Sequence, residues 1–112
     1  MDSVIVNGVK YLREQAVDPK PWVVIRSRDA GVFFARLVKE ENGRVELENS
    51  RRIYYWDGAA TLSQLALEGV KKVSNCKFPK ELPSQIVLGV CEIIPATEEA
   101  VKSIQSVPVW QM

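Results

Sequence analysis

Asn42-Gly43 stands between two β-prone runs, and that dipeptide most restricts what the chain can become. A two-residue type I′ turn needs positive φ at both central positions, which Asn and Gly tolerate best, and it joins antiparallel strands. The flanking runs, Val32 to Glu40 and Arg44 to Asn49, therefore read as a hairpin. A two-residue loop also sets the register: Glu40 opposite Val45, Lys39 opposite Glu46, Val38 opposite Leu47 and Arg36 opposite Asn49. Lys39 and Glu46 then make an opposite-charge cross-strand pair. In this register Arg36, Asn49 and Arg51 share a face with the apolar Val38 and Leu47. Polar groups on such a face need partners, so they predict a polar pocket or an interface.

Other elements follow from punctuation and periodicity. Trp22 to Ile25 is a β-branched run that reads as a strand, and Ser27 to Gly31 turns the chain. The second hairpin strand is expected to continue through Ile53 to about Trp56, where Asp57-Gly58 breaks it. Thr61 with Gln64 forms a capping-box pattern, Leu62, Leu65 and Ala66 give a buried stripe, and Gly69 stops the helix. Residues 70–83 read as loop. Ile86 to Ile94 reads as one long apolar strand, central in the sheet. Pro95-Ala-Thr97-Glu-Glu opens a second short helix, and Val107-Pro-Val-Trp110 is an extended tail. Before Pro21, the spacing of Val9, Leu12, Ala16 and Val17 suits a helical turn or two. Strands followed by short helices predict an α+β fold: a small antiparallel sheet with an Asn-Gly hairpin and two short helices, in a single domain over 1–112.

Composition limits the chemistry. The chain has 112 residues, enough to bury a core without staples, and its net charge of +1 gives no strong pull towards nucleic acid or anionic lipid. The charge is uneven: segment 20–56 carries a local +3 and each flank −1. Histidine is absent, which removes the commonest general base and the commonest metal ligand. Cys76 and Cys91 have no partner cluster, so neither a zinc site nor any other cofactor is expected. No Gly-rich phosphate loop occurs. Glu40-Glu41 flanks a turn and Glu98-Glu99 opens a helix, both ordinary solvated positions. A catalyst using Asp57, a Lys or a Tyr stays open, with nothing pointing to it, and a non-enzymatic binder is the expectation. Two cysteines and no apolar leader or membrane-length stretch predict a soluble, cytoplasmic protein.

Guanidinium groups and rings concentrate in Ser50 to Ala59. Arg51 and Arg52 are fixed cations suited to phosphate or carboxylate, and Tyr54, Tyr55 and Trp56 offer flat faces with polar handles. Alternation puts Arg51, Ile53 and Tyr55 on one face and Arg52, Tyr54 and Trp56 on the other. Stacking and phosphate gripping fit this segment, and so does a plain strand with one ring face in the core. In Ser74 to Pro79, Asn75 and Lys77 could close over a ligand, or Asn75 could hold a turn while Phe78 anchors it. Arg26-Ser-Arg28-Asp29 reads as an internal Arg–Asp pair more readily than as an anion site. Trp110 either plugs the core or docks on a neighbouring subunit.

The stretches 52–66, Asn75 to Pro79, Asp29 to Phe33, Glu92 to Pro95 and Val107 to Trp110 together resemble a family of short phage- and prophage-encoded proteins, over roughly residues 22–110. The first twenty residues form an arm outside the resemblance. The family in turn resembles the phage anti-Thoeris sponge proteins. That likeness implies an oligomeric protein that sequesters cyclic ADP-ribose signals or cyclic oligonucleotides without degrading them.

The resulting expectation is a cytoplasmic, homo-oligomeric binder of a cyclic nucleotide-type signal, working in a bacterial host. Arg36, Arg51 and Arg52 grip phosphates, Tyr54 or Trp56 stacks the base, and Asn49, Asn75 and Lys77 complete the site. The rival is a protein-interaction module that binds or inhibits a host protein through the same aromatic patch. Binding of long single-stranded nucleic acid is disfavoured by the near-neutral charge.

Overall fold

The computed structural model describes residues 20–111, together with the backbone of two short strands, β1 (Val4–Ile5) and β2 (Lys10–Tyr11), paired antiparallel. Lys10–Tyr11 is thus extended where a helical turn was expected, and residues 12–19 lie outside the described set. The body is a five-stranded antiparallel sheet, as expected of an α+β domain with two short helices. Its strands are β3 (Trp22–Ser27), β4 (Gly31–Glu41), β5 (Arg44–Arg52), β6 (Leu82–Val87) and β7 (Val90–Pro95), in the order β6-β5-β4-β3-β7. Among the described residues no helix is long and apolar enough to cross a membrane.

The expected long strand from Ile86 to Ile94 is two edge strands. Gly89 turns with φ +69° and separates β6 from β7, which lie at opposite ends of the strand order. A flat five-stranded sheet would hold its edges about 19 Å apart. The Leu88-Gly89 link spans about 10 Å at most. The sheet must therefore curl until its edges meet at that end. Polar bonds seal the junction: Ser27 Oγ donates to Leu88 O at 2.7 Å, Arg28 N to Gly89 O at 3.2 Å, and Val90 N to Gly43 O at 2.9 Å.

Curling gives the sheet two buried faces. Inside the curl pack Val23, Ile25, Phe33, Ala35, Val45, Leu47 and Val87. On the other face Val24, Phe34 and Ile53 meet α1 (Leu62–Glu68) through Leu65 and Ala66, and α2 (Glu98–Gln105) through Ile104, with Phe78 and Val107 between them. Both helices start as their sequences predict. Thr61 Oγ1 accepts from Gln64 N at 3.1 Å, and Thr97 Oγ1 from Ala100 N at 3.1 Å. Gly69 ends α1 at φ +78°, and a Cβ there would lie 2.3 Å from the Cβ of Ser103, so glycine is required at this helix crossing.

The hairpin turns at Asn42 (φ +52°) and Gly43 (φ +83°), and Lys39, Glu40 and Glu41 face Glu46, Val45 and Arg44. Beyond Lys39 the expected register fails. Val38 is an extra residue on β4, so Leu37 faces Leu47 and Arg36 faces Glu48. Asn49, with φ +52°, then makes a compensating bulge on β5 that restores Phe34 opposite Arg51. The second bulge breaks the alternation, so Arg51 lies on the helix-facing side, away from Leu47. The charges also pair along the strands instead of across them: Arg44 with Glu46 at 2.9 Å and Lys39 with Glu41 at 3.8 Å.

Candidate functional site

Arg51 is the most deeply buried cation of the described residues, 7% exposed. The Asn49 bulge aims it at the seam between β5, the Phe78-Pro79 loop and the C-terminal end of α2. Its Nε donates to Pro79 O at 3.0 Å, Nη2 to Phe78 O at 3.2 Å and Nη1 to Ile104 O at 3.3 Å, while the guanidinium carbon lies 5.3 Å from the Phe78 ring centre. A cation at a helix C-terminus meets the negative end of its dipole. Burial pulls the Arg51 pKa below the ordinary guanidinium value, and the charge of Glu81 pushes it back up. This arginine ties three elements together.

Beside it opens a cavity of about 340 Å³ lined by Phe34, Arg51, Glu81, Gln105, Val107 and Val109. The chain after α2 shapes it. Val109 bridges Phe78 in parallel, and alternation along this extended tail sends Val109 to the cavity and Trp110 to Tyr54. Tyr54 and Trp110 stack at 5.2 Å with planes 5° apart, and Lys77 Nζ lies 5.6 Å from the Trp110 ring centre. Tyr54 stays 63% exposed and Tyr55 49%. A cavity and a ring platform thus flank one strip of backbone.

The expected site residues are spread over this surface and beyond it. Tyr54 and Lys77 do come together, joined by Trp110. Arg51 and Arg52 point to opposite faces. Arg52 donates to Ala30 O and lies 4.6 Å over the Phe33 ring. Arg36 lies 5.2 Å over Trp22, which itself stacks on Phe34 at 4.7 Å. Trp56 Nε1 donates to Ala59 O at 3.2 Å and its ring packs on the core. The strand stops at Arg52, so Tyr54 and Tyr55 both face outward in place of the expected alternation. Asn75 Nδ2 donates to Asp57 Oδ2 at 3.1 Å, holding its turn, and Phe78 anchors the loop fully buried. Asn49 Nδ2 donates to Glu81 Oε2 at 2.9 Å, next to the cavity. The expected Arg–Asp pair near Arg26 is instead Arg26 Nε with Glu92 Oε1 at 3.1 Å, because β7 lies alongside β3.

A family model matches residues 20–104, most of the chain. The chain belongs to the family described as a domain of unknown function, DUF6948. Searches of curated proteins and of solved structures each gave no match. In this DUF6948 domain, sequence reasoning missed Phe34, Glu81, Gln105, Val107 and Val109 as cavity residues. Glu81 stood in a stretch read as loop, and the two valines in a tail with no helical or strand partner. The Phe78–Val109 bridge brings the tail to this wall, and no local pattern announces that pairing.

Proposed function

We propose that this DUF6948 protein is a non-catalytic binder that holds a small nucleotide-type ligand in the cavity beside Arg51 and withholds it without transforming it. The observation carrying this reading is a concave, largely apolar site with a buried cation on its wall, within the usual size range of ligand pockets, roughly 300–1,000 Å³. The structure narrows the chemistry. Arg36 and Arg52 are engaged elsewhere, so the cavity offers one guanidinium and not three. A ligand dense in charge, such as a cyclic oligonucleotide, is therefore a poorer fit than a single nucleotide-sized group. The resemblance to phage and prophage proteins supplies the biological setting: counter-defence in the cytoplasm of an infected bacterium, by removing an immune signal.

Calorimetry with nucleotides, cyclic ADP-ribose isomers and cyclic oligonucleotides tests this. Saturable binding at micromolar or tighter Kd, about −8 kcal/mol or better, with the ligand recovered intact, supports sequestration. Millimolar binding, or ligand turnover, contradicts it.

A second reading rests on a different observation, the exposed platform of Tyr54, Tyr55 and Trp110 with Lys77. Tyr and Trp dominate interface hot spots, so this surface suits a host-protein partner. Calorimetric silence across the ligand panel, with a host protein retained by the wild type and lost from Tyr54→Ala, favours that reading over the first.

A further inference from the structure

The cavity wall carries a pattern of polar atoms that the protein does not complete. A guanidinium offers five N–H donors in one plane. Three of those on Arg51 go to the carbonyls of Pro79, Phe78 and Ile104, which leaves one on each terminal nitrogen without an acceptor among the described residues. Arg51 is 7% exposed and lines the cavity, so a group entering the cavity is placed to supply an acceptor. Glu81 shares the lining. Its Oε2 takes the Asn49 amide, and its Oε1 has no donor among the described residues. The rest of the lining is the apolar surface of Phe34, Val107 and Val109, with the Gln105 amide.

A bare phosphate or carboxylate suits such a lining badly. It would meet Arg51, but it would also meet the negative charge of Glu81, which already offsets the cation. What matches is a neutral edge with a hydrogen-bond acceptor beside a donor, on a flat body that can lie against apolar side chains. Nucleobases carry that arrangement: a ring nitrogen or carbonyl next to an N–H. The volume, near the lower end for ligand pockets, admits one base and not a stack of them.

We propose that Arg51 and Glu81 read the hydrogen-bonding edge of a single nucleobase, Arg51 donating to a ring acceptor and Glu81 Oε1 accepting from the adjacent N–H, with the phosphate left outside the cavity. This rests on the nucleotide reading above and specifies which part of the ligand is recognised. Affinity then follows the base and not the charge.

The test is calorimetry with three probe classes: nucleosides of each base, their monophosphates, and ribose 5-phosphate. At least one nucleoside is expected to bind within about threefold of its monophosphate, and ribose 5-phosphate not at all. Glu81→Ala, at an exposed position, is expected to weaken that nucleoside about tenfold or more, as losing a hydrogen bond to a charged group does, with the folded state retained. Val109→Trp, which fills the cavity, is expected to abolish binding. Ribose 5-phosphate binding as well as the nucleotides overturns the edge reading. So does nucleotide affinity untouched by both substitutions, which leaves nucleotide binding standing at another place on the protein. Silence with every nucleoside and monophosphate overturns the edge reading, and silence with the cyclic ADP-ribose isomers and cyclic oligonucleotides as well overturns both readings together.

Discussion

Between Arg52 and Val70, polar groups close on nearby backbone or on a side chain of the neighbouring turn. Trp56 Nε1 reaches Ala59 O, Gln64 Oε1 takes Ala60 N at 2.8 Å, Thr61 caps α1, and Asp57 holds Asn75. Around the cavity the opposite holds: Arg51 retains two donors and Glu81 an acceptor oxygen with no partner among the described residues. The first region is the most distinctive stretch of the sequence, and the second is among the least. The rings and glycines there reflect a fold built from tight turns and close approaches. Ligand chemistry is to be sought beside Arg51, since a buried polar group without a partner is costly to keep, with the exposed Glu81 oxygen at its side.

The contrast can be broken or sharpened by substitution. Gly58 has φ +95°, and a Cβ there would lie 2.5 Å from the backbone nitrogen of Lys71. Backbone cannot step aside as a side chain can, so Gly58→Ala is expected to cost about 3 kcal/mol or more, read from the urea midpoint at unchanged slope. A loss below about 1 kcal/mol would mean that the Asp57-Gly58 turn is not tightly built.

The neighbouring arginines should differ next. Arg51→Met removes three bonds from a buried cation to backbone carbonyls and is expected to cost about 2–4 kcal/mol. Arg52→Met, exposed and with one carbonyl partner, should cost about 1 kcal/mol or less. Equal costs would erase the distinction between the two faces of β5.

Thiol chemistry separates a closed position beside Asp57 from an open one on β7. Burial pushes the Cys76 thiol pKa up, and the sulfur lies 3.4 Å from Asp57 N, whereas Cys91 is exposed. A thiol reagent at pH 8 should label Cys91 quickly and Cys76 only on unfolding. Because the folded state binds the Cys76 proton more tightly, its contribution to stability is complete below the unfolded thiol's pKa. That contribution falls as pH rises from there towards the folded value. The smallest expected effect is Tyr54→Ala. A largely exposed stacked ring contributes about 1 kcal/mol or less to stability, so a cavity ligand should still bind this variant.

Much of the fold was legible because it depends on local chemistry. Asn42-Gly43 set the turn, Thr61 and Thr97 the helix starts, and Gly69 a helix end. The α+β class followed from those elements. What the sequence concealed depends on single residues that shift register. Neither Val38 nor Asn49 looks like a bulge, yet Val38 re-pairs Leu37 and Arg36, and Asn49 carries Arg51 across to the helix side of the sheet. Gly89 sat inside an apolar run and turned one expected central strand into two edge strands. Of the candidate site, residue type singled out Arg51, which lines the cavity, and Tyr54 and Lys77, which Trp110 joins beside it. The cavity was not legible, because its walls come from β4, β5, the chain before β6, the end of α2 and the tail after it.

The central claim is that ligand contact falls at the incompletely satisfied wall and not at the conspicuous rings. A ¹H–¹⁵N NMR titration with guanosine, adenosine, cytidine and uridine monophosphates in turn tests it residue by residue. The account predicts, for at least one of them, saturable shifts centred on Arg51, Glu81, Gln105, Val107 and Val109. Shifts confined to Tyr54, Tyr55, Lys77 and Trp110, with the cavity residues unmoved, would contradict it.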